Sequence, residues 1–322
     1  YLAPNAPTNV NLSLSGTTLN LSWNHTATQD RPVSRFSIQI RENGGSWQSV
    51  GTTTNKSYSR TGTRGRSYQF RVRAENADGS SSYVSSNEIR IPYLAPNAPT
   101  NVNLSLSGTT LNLSWNHTAT QDKPVSRFNI QISENGGSWE SEGTTTNKSY
   151  SRTGTRGRSY KFRVRAENAD ANSGYVSSSE VRIPYLAPNA PTNVKVTRQS
   201  HTRFTVTWDI SVTSDRPVSS FEVYRSVNGG SYTRIASGLS SSARSYNDDT
   251  VELGKTYSYY IKAINQDGNT NSSRTSGLIN PTGIPVYNGS SFVIRPVYVY
   301  NGSQWVHRPV YVYNGSQWVW RG

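Results

Sequence analysis

The first 92 residues of the chain recur almost unchanged in the next 92. Residues 93–184 differ from residues 1–92 at 11 positions, and the opening ten residues return once more from residue 185. Duplication of a whole segment is typical of domain arrays, which mostly space, display or bind. A length of 322 residues suffices for two to four domains. We therefore expect repeat 1 at 1–92, repeat 2 at 93–184, a divergent repeat 3 at 185–281, and a different module at 282–322.

Short runs of alternating apolar and polar residues fill each repeat. In repeat 1 they include residues 19–23, 36–40 and 68–74, with turn-forming Asn-Gly and Thr-Gly sequences between them. Alternation with a period of two buries one face of a β-strand and exposes the other. Hydrophobic residues make up only 33 % of the chain, which suits thin β-domains with polar outer faces. We predict an all-β chain whose first three segments are tandem sandwiches.

Proline-rich joints connect the repeats. Residues 91–99 and 183–191 each contain three prolines. Proline stiffens a connection and stops a strand from continuing. We therefore expect semi-rigid connections between the repeats. Because the chain begins on a repeat boundary, we also expect further repeats or an assembly domain upstream of Tyr1.

Aromatic residues recur at equivalent places in the three repeats. A tryptophan closes the second strand of each repeat, and a tyrosine opens the sixth strand in the pattern Tyr-x-Phe/Tyr-x-Val/Ile-x-Ala. The residues are Trp23, Trp115 and Trp208, and Tyr68, Tyr160 and Tyr257. Together with the proline-rich entry, they resemble fibronectin type III domains over residues 1 to about 280. The resemblance implies Ig-like sandwiches that connect, display and sometimes bind, so it supports a fold rather than a function.

One detail departs from that family. Its members often place Leu and Pro ahead of the conserved tyrosine, whereas residues 63–67 of repeat 1 read Thr-Arg-Gly-Arg-Ser. We therefore expect the corner turn before Tyr68 to differ.

Residues 282–322 form the module of a different kind. Residues 295–306 recur at 308–319, each time with Asn-Gly between two β-like runs. Asn-Gly is a strong hairpin signal, because both positions of the tight turn need positive φ. A two-residue turn at Asn301-Gly302 would set Tyr298 opposite Trp305. We predict a small β-hairpin repeat module with an aromatic face and a valine face, the latter made of Val297, Val299 and Val306.

Isolated hairpins are marginally stable, so we expect these to pack on each other or on partner chains. Their aromatic residues are candidates for oligomerisation or for stacking on sugars. We favour the packing interpretation for Trp305 and Trp318. The candidate residues are Tyr298, Tyr300, Trp305, Tyr311, Tyr313 and Trp318.

The hairpin module is similar to the Asn-Gly-Ser-x-Trp repeats that end many minor tail and fibre proteins of tailed bacteriophages. Fibronectin-type domains ahead of such a module are also usual in those proteins. The resemblance implies a tail-associated or fibre-like protein on the virion surface, with other virion proteins and copies of itself as partners. The chain has no cysteine, which excludes disulfides and favours a bacterial or bacteriophage surface protein.

Arginines line the polar face of two strands in repeat 1. If Phe36 and Phe70 point inward, Arg35 and Arg41 on one strand, and Arg71 and Arg73 on the other, point outward. The family resemblance implies that these strands are neighbours, so that four arginines share one face. The equivalent positions hold Arg127, Arg163 and Arg165 in repeat 2, and Tyr224 and Tyr260 in repeat 3.

Two interpretations of this face remain open. The favoured one is a solvated surface that resists edge aggregation. The other is weak binding to anionic polymers, strengthened by repetition. The net charge of +14 is spread over all four segments. Even spreading fits weak attraction to anionic or glycan polymers of a cell envelope.

Charge and hydropathy also exclude two kinds of partner. Nucleic-acid modules usually concentrate their charge in a patch or a Lys/Arg run, so we expect no specific nucleic acid partner. No apolar run is long enough to span a membrane, so we expect no membrane insertion.

Few residues suit catalysis or metal binding. The four histidines belong to no cluster with metal-ligand spacing. Asp248 and Asp249 follow Asn247 and are expected in a turn. No phosphate loop or nucleophile motif occurs. We therefore expect no catalytic residue, no metal, no cofactor and no enzyme activity.

Two alternatives to the phage interpretation remain. The chain is then either the accessory fibronectin or carbohydrate-binding region of a secreted bacterial polysaccharide-degrading enzyme, or part of a bacterial surface adhesin.

Overall fold

A computed structural model describes residues 1–200, 202–278 and 297–306 in full, and the backbone of Ile279, His307 and four further short strands. It divides into two compact units, residues 1–154 with 159–181 and residues 155–158 with 182–322. All secondary-structure elements assigned in the described residues are β-strands, which confirms the all-β prediction. These residues contain no helix with the length and apolar character needed to cross a membrane.

Repeat 1 folds into two sheets. One has the strand order β1-β2-β5; in the other, β4-β3-β6-β7 are neighbours and β8 also pairs with β6. The strands are β1 (Thr8–Ser15), β2 (Thr18–Asn24), β3 (Arg35–Glu42), β4 (Gln48–Thr53), β5 (Ser57–Thr61), β6 (Ser67–Glu75), β7 (Val84–Ser85) and β8 (Ile89–Arg90).

The core of repeat 1 lies between its two sheets. Trp23 is 3 % exposed, and its ring meets Phe36 edge to face with centroids 5.2 Å apart. The conserved tyrosine also closes its corner turn, since Thr63 N–H donates to Tyr68 Oη at 2.8 Å. The corner therefore forms even though Leu and Pro are absent. The predicted alternation of buried and exposed residues holds on β2 and β6.

Repeat 2 has the same two-sheet arrangement, with orders β13-β10-β9 and β12-β11-β14-β15. Its Trp115 and Phe128 repeat the edge-to-face contact at 5.3 Å. The strands are β9 (Thr100–Ser107), β10 (Thr110–Asn116), β11 (Arg127–Glu134), β12 (Glu140–Thr145), β13 (Ser149–Thr153), β14 (Ser159–Glu167), β15 (Val176–Ser177) and β16 (Val181–Arg182).

Repeat 3 keeps the sandwich, with sheets β17-β18-β21 and β20-β19-β22-β23; β24 also pairs with β22. Three sandwiches thus match the predicted fold class, while the exact boundaries at 92, 184 and 281 stay a prediction. The strands are β17 (Thr192–Arg198), β18 (Phe204–Asp209), β19 (Ser220–Val227), β20 (Thr233–Ser240), β21 (Ser245–Asp248), β22 (Thr256–Ile264), β23 (Asn269–Asn271) and β24 (Leu278–Ile279).

Three two-stranded ladders follow, β25-β26, β27-β28 and β29-β30. Their strands are β25 (Ile284–Tyr287), β26 (Phe292–Arg295), β27 (Tyr298–Tyr300), β28 (Trp305–His307), β29 (Tyr311–Tyr313) and β30 (Trp318–Trp320).

The register predicted for the middle hairpin was wrong. Trp305 pairs with Tyr300, not with Tyr298, across a four-residue loop. Asn301 Oδ1 accepts the backbone N–H groups of Ser303 and Gln304, at 3.0 Å each, and so stabilises a wider turn than the two-residue one. A slip of two residues preserves the faces, so the aromatic and valine sides remain as expected.

Candidate functional site

The arginines of repeat 1 lie on the outer face of the larger sheet. Strands β3 and β6 pair antiparallel, with Gln39 opposite Arg71 and Arg41 opposite Gln69. Phe36 and Phe70, which alternate with these polar residues, are buried in the core. The structure therefore brings Arg35, Arg41, Arg71 and Arg73 onto neighbouring strands of one face, as the sequence predicted.

Two of these arginines are neutralised by a buried glutamate. Glu75, 6 % exposed, accepts from Arg35 Nε at 2.8 Å and pairs with Arg73 Nη2 at 2.8 Å. The hydrogen bonds from Arg35 and Arg73 hold the pKa of the Glu75 carboxyl below its usual value, against burial, which raises it. Arg35 and Arg73 are thus committed to a contact within the domain.

The same arrangement recurs in repeat 2. Glu167, 4 % exposed, pairs with Arg127 Nε at 2.7 Å and Arg165 Nη2 at 2.8 Å. Burial raises the pKa of Glu167, but the two arginines outweigh it, so the pKa is lowered. Four of the seven candidate arginines therefore have an internal counter-charge.

Three arginines of this face in repeat 1 also stack against aromatic rings. In repeat 1 the Arg71 guanidinium lies 4.6 Å from the Trp47 ring centre and 4.4 Å from that of Tyr83. Arg41 also lies over the Trp47 ring, at 5.0 Å from its centre. Arg73 lies over the Tyr83 ring at 4.8 Å. Arginines and aromatic rings therefore alternate across the sheet, each contact worth about 0.5–1 kcal/mol at a partly exposed site.

Repeat 2 keeps the arginine between two aromatic rings but has no counterpart of Arg41. Arg163 lies 4.5 Å from the Trp139 ring centre and 4.4 Å from that of Tyr175. The position of Arg41 is taken by Ser133, whose hydroxyl is buried and donates to Gly137 O at 2.7 Å.

Repeat 3 replaces the arginine row with tyrosines. Tyr224 and Tyr260 pair across β19 and β22, and their rings stack at 4.7 Å with an interplanar angle of 6°. Lys262 Nζ lies 5.0 Å over Tyr224. The two candidate tyrosines therefore cover each other's faces.

The opposite sheet of repeat 1 has an outer face of a different character. Its short side chains form three rows across β1, β2 and β5, and none carries a charge. The rows are Asn11–Ser22–Ser57, Ser13–Asn20–Ser59 and Ser15–Thr18–Thr61. In repeat 1 the outer face is thus cationic and aromatic on one sheet and uncharged on the other.

The joint after repeat 1 is held by a single carboxylate of repeat 2. Asp170 Oδ1 accepts from Arg90 Nη1 at 2.5 Å, and its Oδ2 accepts from the backbone N–H of Tyr93 at 2.9 Å. The guanidinium of Arg90 and the Tyr93 N–H lower the pKa of Asp170, which therefore stays ionised. The loop after β14 is thereby tied to the end of repeat 1.

Tyr93 completes this joint by packing on a glycine. Gly65 has φ +85°, and a Cβ built there would lie 2.1 Å from the Tyr93 ring. Arg64 Nη1 donates to Pro92 O at 3.0 Å on the same side. Only glycine leaves room for the ring, so the joint is a shaped contact rather than a loose linker.

The second unit contains the same set of contacts. Asp267 accepts from Arg182 at 2.7 Å and from the Tyr185 N–H at 2.8 Å, and a Cβ at Gly157 would lie 2.1 Å from the Tyr185 ring. Arg182 and the Tyr185 N–H lower the pKa of Asp267. Both joints are therefore built from the same residue types.

The remaining predicted positions divide into two groups. Trp305, Tyr300 and Tyr298 are 70 %, 54 % and 52 % exposed, and the rings of Tyr300 and Trp305 are 5.6 Å apart. The side chains of Tyr311, Tyr313 and Trp318 lie outside the described residues. A role of these aromatic residues in oligomerisation or sugar stacking stays a prediction.

Among the fully described residues, no set of three His, Cys, Asp or Glu side chains is arranged to hold a metal ion. His25 is buried, and its Nε2 lies 3.0 Å from Asn5 O, a structural contact.

Sequence reasoning missed the acidic residues that organise these surfaces. Glu75 and Glu167 end the sixth strand of their repeats, and Asp170 and Asp267 occupy the following turn, as Asp78 does in repeat 1. Retention of an acidic residue at one turn position in all three repeats of a basic chain was the available signal for the joints.

The buried glutamate gives a testable pH dependence. Because folding lowers the pKa of Glu75, the ionised carboxylate stabilises the fold. This contribution to the free energy of unfolding is complete above the unfolded-state pKa of about 4.3 and is lost as pH falls through the folded-state pKa. Glu75→Gln should cost about 1 kcal/mol at pH 7, since both arginine partners are partly exposed. Calorimetry at pH 7 and pH 3 checks this: the difference between wild type and variant should shrink at pH 3. The exposed Glu88→Gln is the matched control; an equal loss there contradicts the assignment.

Comparison with known families agrees with this architecture. The profile of the Fibronectin type III domain matches residues 97–182 and 189–277, together more than half of the chain. The profile of the PBP1-like, fibronectin3-like domain matches residues 14–85.

Similar proteins share part of the chain. Tyrosine-protein phosphatase Lar-like of Caenorhabditis elegans is 30 % identical over 138 residues, which are 39 % of this chain and 6 % of the phosphatase. Chitinase A1 of Niallia circulans is 28 % identical over 187 residues, 56 % of this chain and 25 % of the chitinase. The chain thus spans a quarter or less of the length of these curated relatives.

A solved structure with three domains is also similar. The FN1-FN3 domains of chicken CNTN1 have 18 % sequence identity, and the match covers 87 % of this chain and 100 % of that chain with a TM-score of 0.31. The profile matches, together with the sandwiches described above, place this chain in the fibronectin type III family.

Proposed function

We propose that this chain is a non-catalytic spacing and display array of a bacteriophage virion, in a tail-associated or fibre-like protein. The observation that carries the spacing role is the joint. Asp170 and Asp267 each hold an arginine and a backbone N–H of the preceding connection, and a tyrosine packs on a glycine beside each of them. A chain that only needed flexible tethering would gain nothing from two identical shaped joints.

The hairpin module supports the virion setting. Its Asn-Gly-Ser-x-Trp repeats resemble the ends of phage tail and fibre proteins, and the described hairpin exposes Trp305 and Tyr300. Exposed aromatic residues on a short hairpin favour contacts with further copies of the chain or with other virion proteins. The proposed location is the virion surface, with contact to host-envelope polymers as a secondary role.

The test is labelling of purified particles with an antibody raised against residues 283–322. Gold label at a fixed position on the virion is expected. Label found on host cells and absent from virions contradicts the proposal.

The similarity to Chitinase A1 favours one alternative. The chain would then be the accessory region of a secreted bacterial polysaccharide-degrading enzyme. The surrounding genome sequence distinguishes the two proposals. A catalytic domain encoded upstream of Tyr1 in the same reading frame supports the accessory role. Virion assembly genes on either side of this gene support the virion array.

A further inference from the structure

The Arg71 and Arg163 guanidinium groups are the cations of the arginine face that keep both a fixed position and an unneutralised charge. Each donates through Nε to a glutamine, Arg71 to Gln39 at 2.8 Å and Arg163 to Gln131 at 2.7 Å, and Arg71 Nη2 donates to the same Gln39 oxygen at 2.5 Å. Glutamine fixes the group but carries no charge. Among the described residues, neither arginine has a carboxylate within ion-pairing distance, whereas Arg35, Arg73, Arg127 and Arg165 do.

The rings beside these arginines limit how a ligand reaches them. Arg71 lies between Trp47 and Tyr83, and Arg163 between Trp139 and Tyr175, all at 4.4–4.6 Å. A ligand therefore approaches the N–H edge that Gln39 or Gln131 does not use. A guanidinium edge presents paired donors, which match the two oxygens of a planar carboxylate.

We propose that Arg71 and Arg163 are two copies of a carboxylate-binding site for an acidic polysaccharide. The ligand class follows from the unneutralised charge, the fork of donors and the rings that leave a narrow approach. The rings are covered by arginines, so sugar stacking is not the mode of recognition at this face. The site is absent from repeat 3, where Tyr260 takes the position of Arg71.

The two sites differ in the position of their second cation. Arg41 stands over Trp47 at 5.0 Å, and its buried Nε has no hydrogen-bond partner in the described structure. In repeat 2 the position of Arg41 is held by Ser133, and the second cation is Lys161, which pairs with Ser133 in place of Gln69. A single exposed charge pair contributes little, so useful affinity comes from one polymer engaging both repeats.

The experiment measures binding of the full chain to polygalacturonate at 0.15 M ionic strength, where attraction between distant charges is screened. The double variant Arg71→Gln/Arg163→Gln should lower the affinity by at least about tenfold, because it removes both attachment points. The control Arg60→Gln/Arg198→Gln removes the same number of charges from exposed arginines. These lie on the three-stranded sheets of repeats 1 and 3. It should change the affinity by less than about twofold.

Two further arms test the chemistry. Arg71→Lys/Arg163→Lys keeps the charge but loses the fork, so it should not restore full affinity. Neutral dextran should not bind. Polyphosphate should depend less on Arg71 and Arg163 than polygalacturonate does, because the approach between two rings suits a planar carboxylate better than a tetrahedral phosphate. Absence of wild-type binding, equal losses in the control, full rescue by lysine, or the same dependence with polyphosphate would overturn the proposal. These measurements use purified protein, so a negative result would not bear on the virion proposal. The carboxylate-binding site rests on the virion proposal only for its biological setting.

Discussion

Replacing Asp248 by alanine should unfold repeat 3 at a much lower temperature than wild type, with a loss of about 3 kcal/mol or more. Asp248 is 1 % exposed and accepts from Arg225 at 2.9 Å and from the Tyr259 hydroxyl at 2.8 Å. Removing the carboxylate strands a guanidinium that is itself mostly buried, since only 17 % of the Arg225 side chain is exposed. Calorimetry of the full chain measures the transition of repeat 3.

The acid response of repeat 3 follows from the same group. Burial raises the pKa of Asp248, but hydrogen bonds from Thr250, Tyr259 and Arg225 outweigh it, so the pKa is lowered. The contribution of Asp248 to the free energy of unfolding is therefore complete above its unfolded-state pKa of about 3.9. It is lost as pH falls through the folded-state pKa. The alanine variant should lack this loss on acidification.

Repeat 1 supplies the control for this prediction. By strand pairing, the positions of Arg225, Tyr259 and Asp248 are those of Ile40, Phe70 and Arg60. The triple variant Arg225→Ile/Tyr259→Phe/Asp248→Arg should recover most of the stability, because Ile40 and Phe70 are buried at these places in repeat 1 and Arg60 is exposed there. A triple variant as unstable as the alanine variant would show that the pair itself was not the cause.

Gly65→Val should release repeat 1 from repeat 2 while both stay folded. The new side chain occupies the place of the Tyr93 ring, and backbone strain at φ +85° adds about 1–3 kcal/mol. Amide ¹⁵N relaxation should show the two repeats tumbling together in wild type and with separate, shorter correlation times in the variant.

The chain contains a matched control for that strain. Gly16 has φ +62° with nothing within 4 Å of a built Cβ. Gly16→Val therefore carries a similar backbone cost without the ring clash, and the repeats should still tumble together. If Gly16→Val uncouples the repeats as well, the packing of Tyr93 is not what fixes the joint.

The sequence predicted the strands and their faces because alternation and tandem duplication are local signals. Phe36, Phe70 and Trp23 fall inward, and the four arginines of repeat 1 share a face, as their spacing required. The fold class therefore follows from the pattern alone, and the family profiles match the same repeats.

The sequence did not predict the residues that depend on long-range partners. Glu75 directly follows the alternating run 68–74, where no local signal indicates that it pairs with Arg35, 40 residues earlier. Asp248 was expected in a turn, and although it accepts the N–H of Thr250, it ends β21 and faces the core. The hairpin register failed for a local reason, since the Asn301 side chain favours a wider loop than the backbone preference of Asn-Gly indicates.

The fixed joint between repeats 1 and 2 is tested most directly by a spin-label distance measurement. The chain has no cysteine, so Ser59→Cys and Ser151→Cys, both on exposed positions of equivalent strands, provide two unique labels. Double electron–electron resonance should give one narrow distance distribution in wild type and a broad one after Asp170→Ala. A broad distribution in wild type, or one that Asp170→Ala leaves unchanged, would contradict a carboxylate-held spacing array.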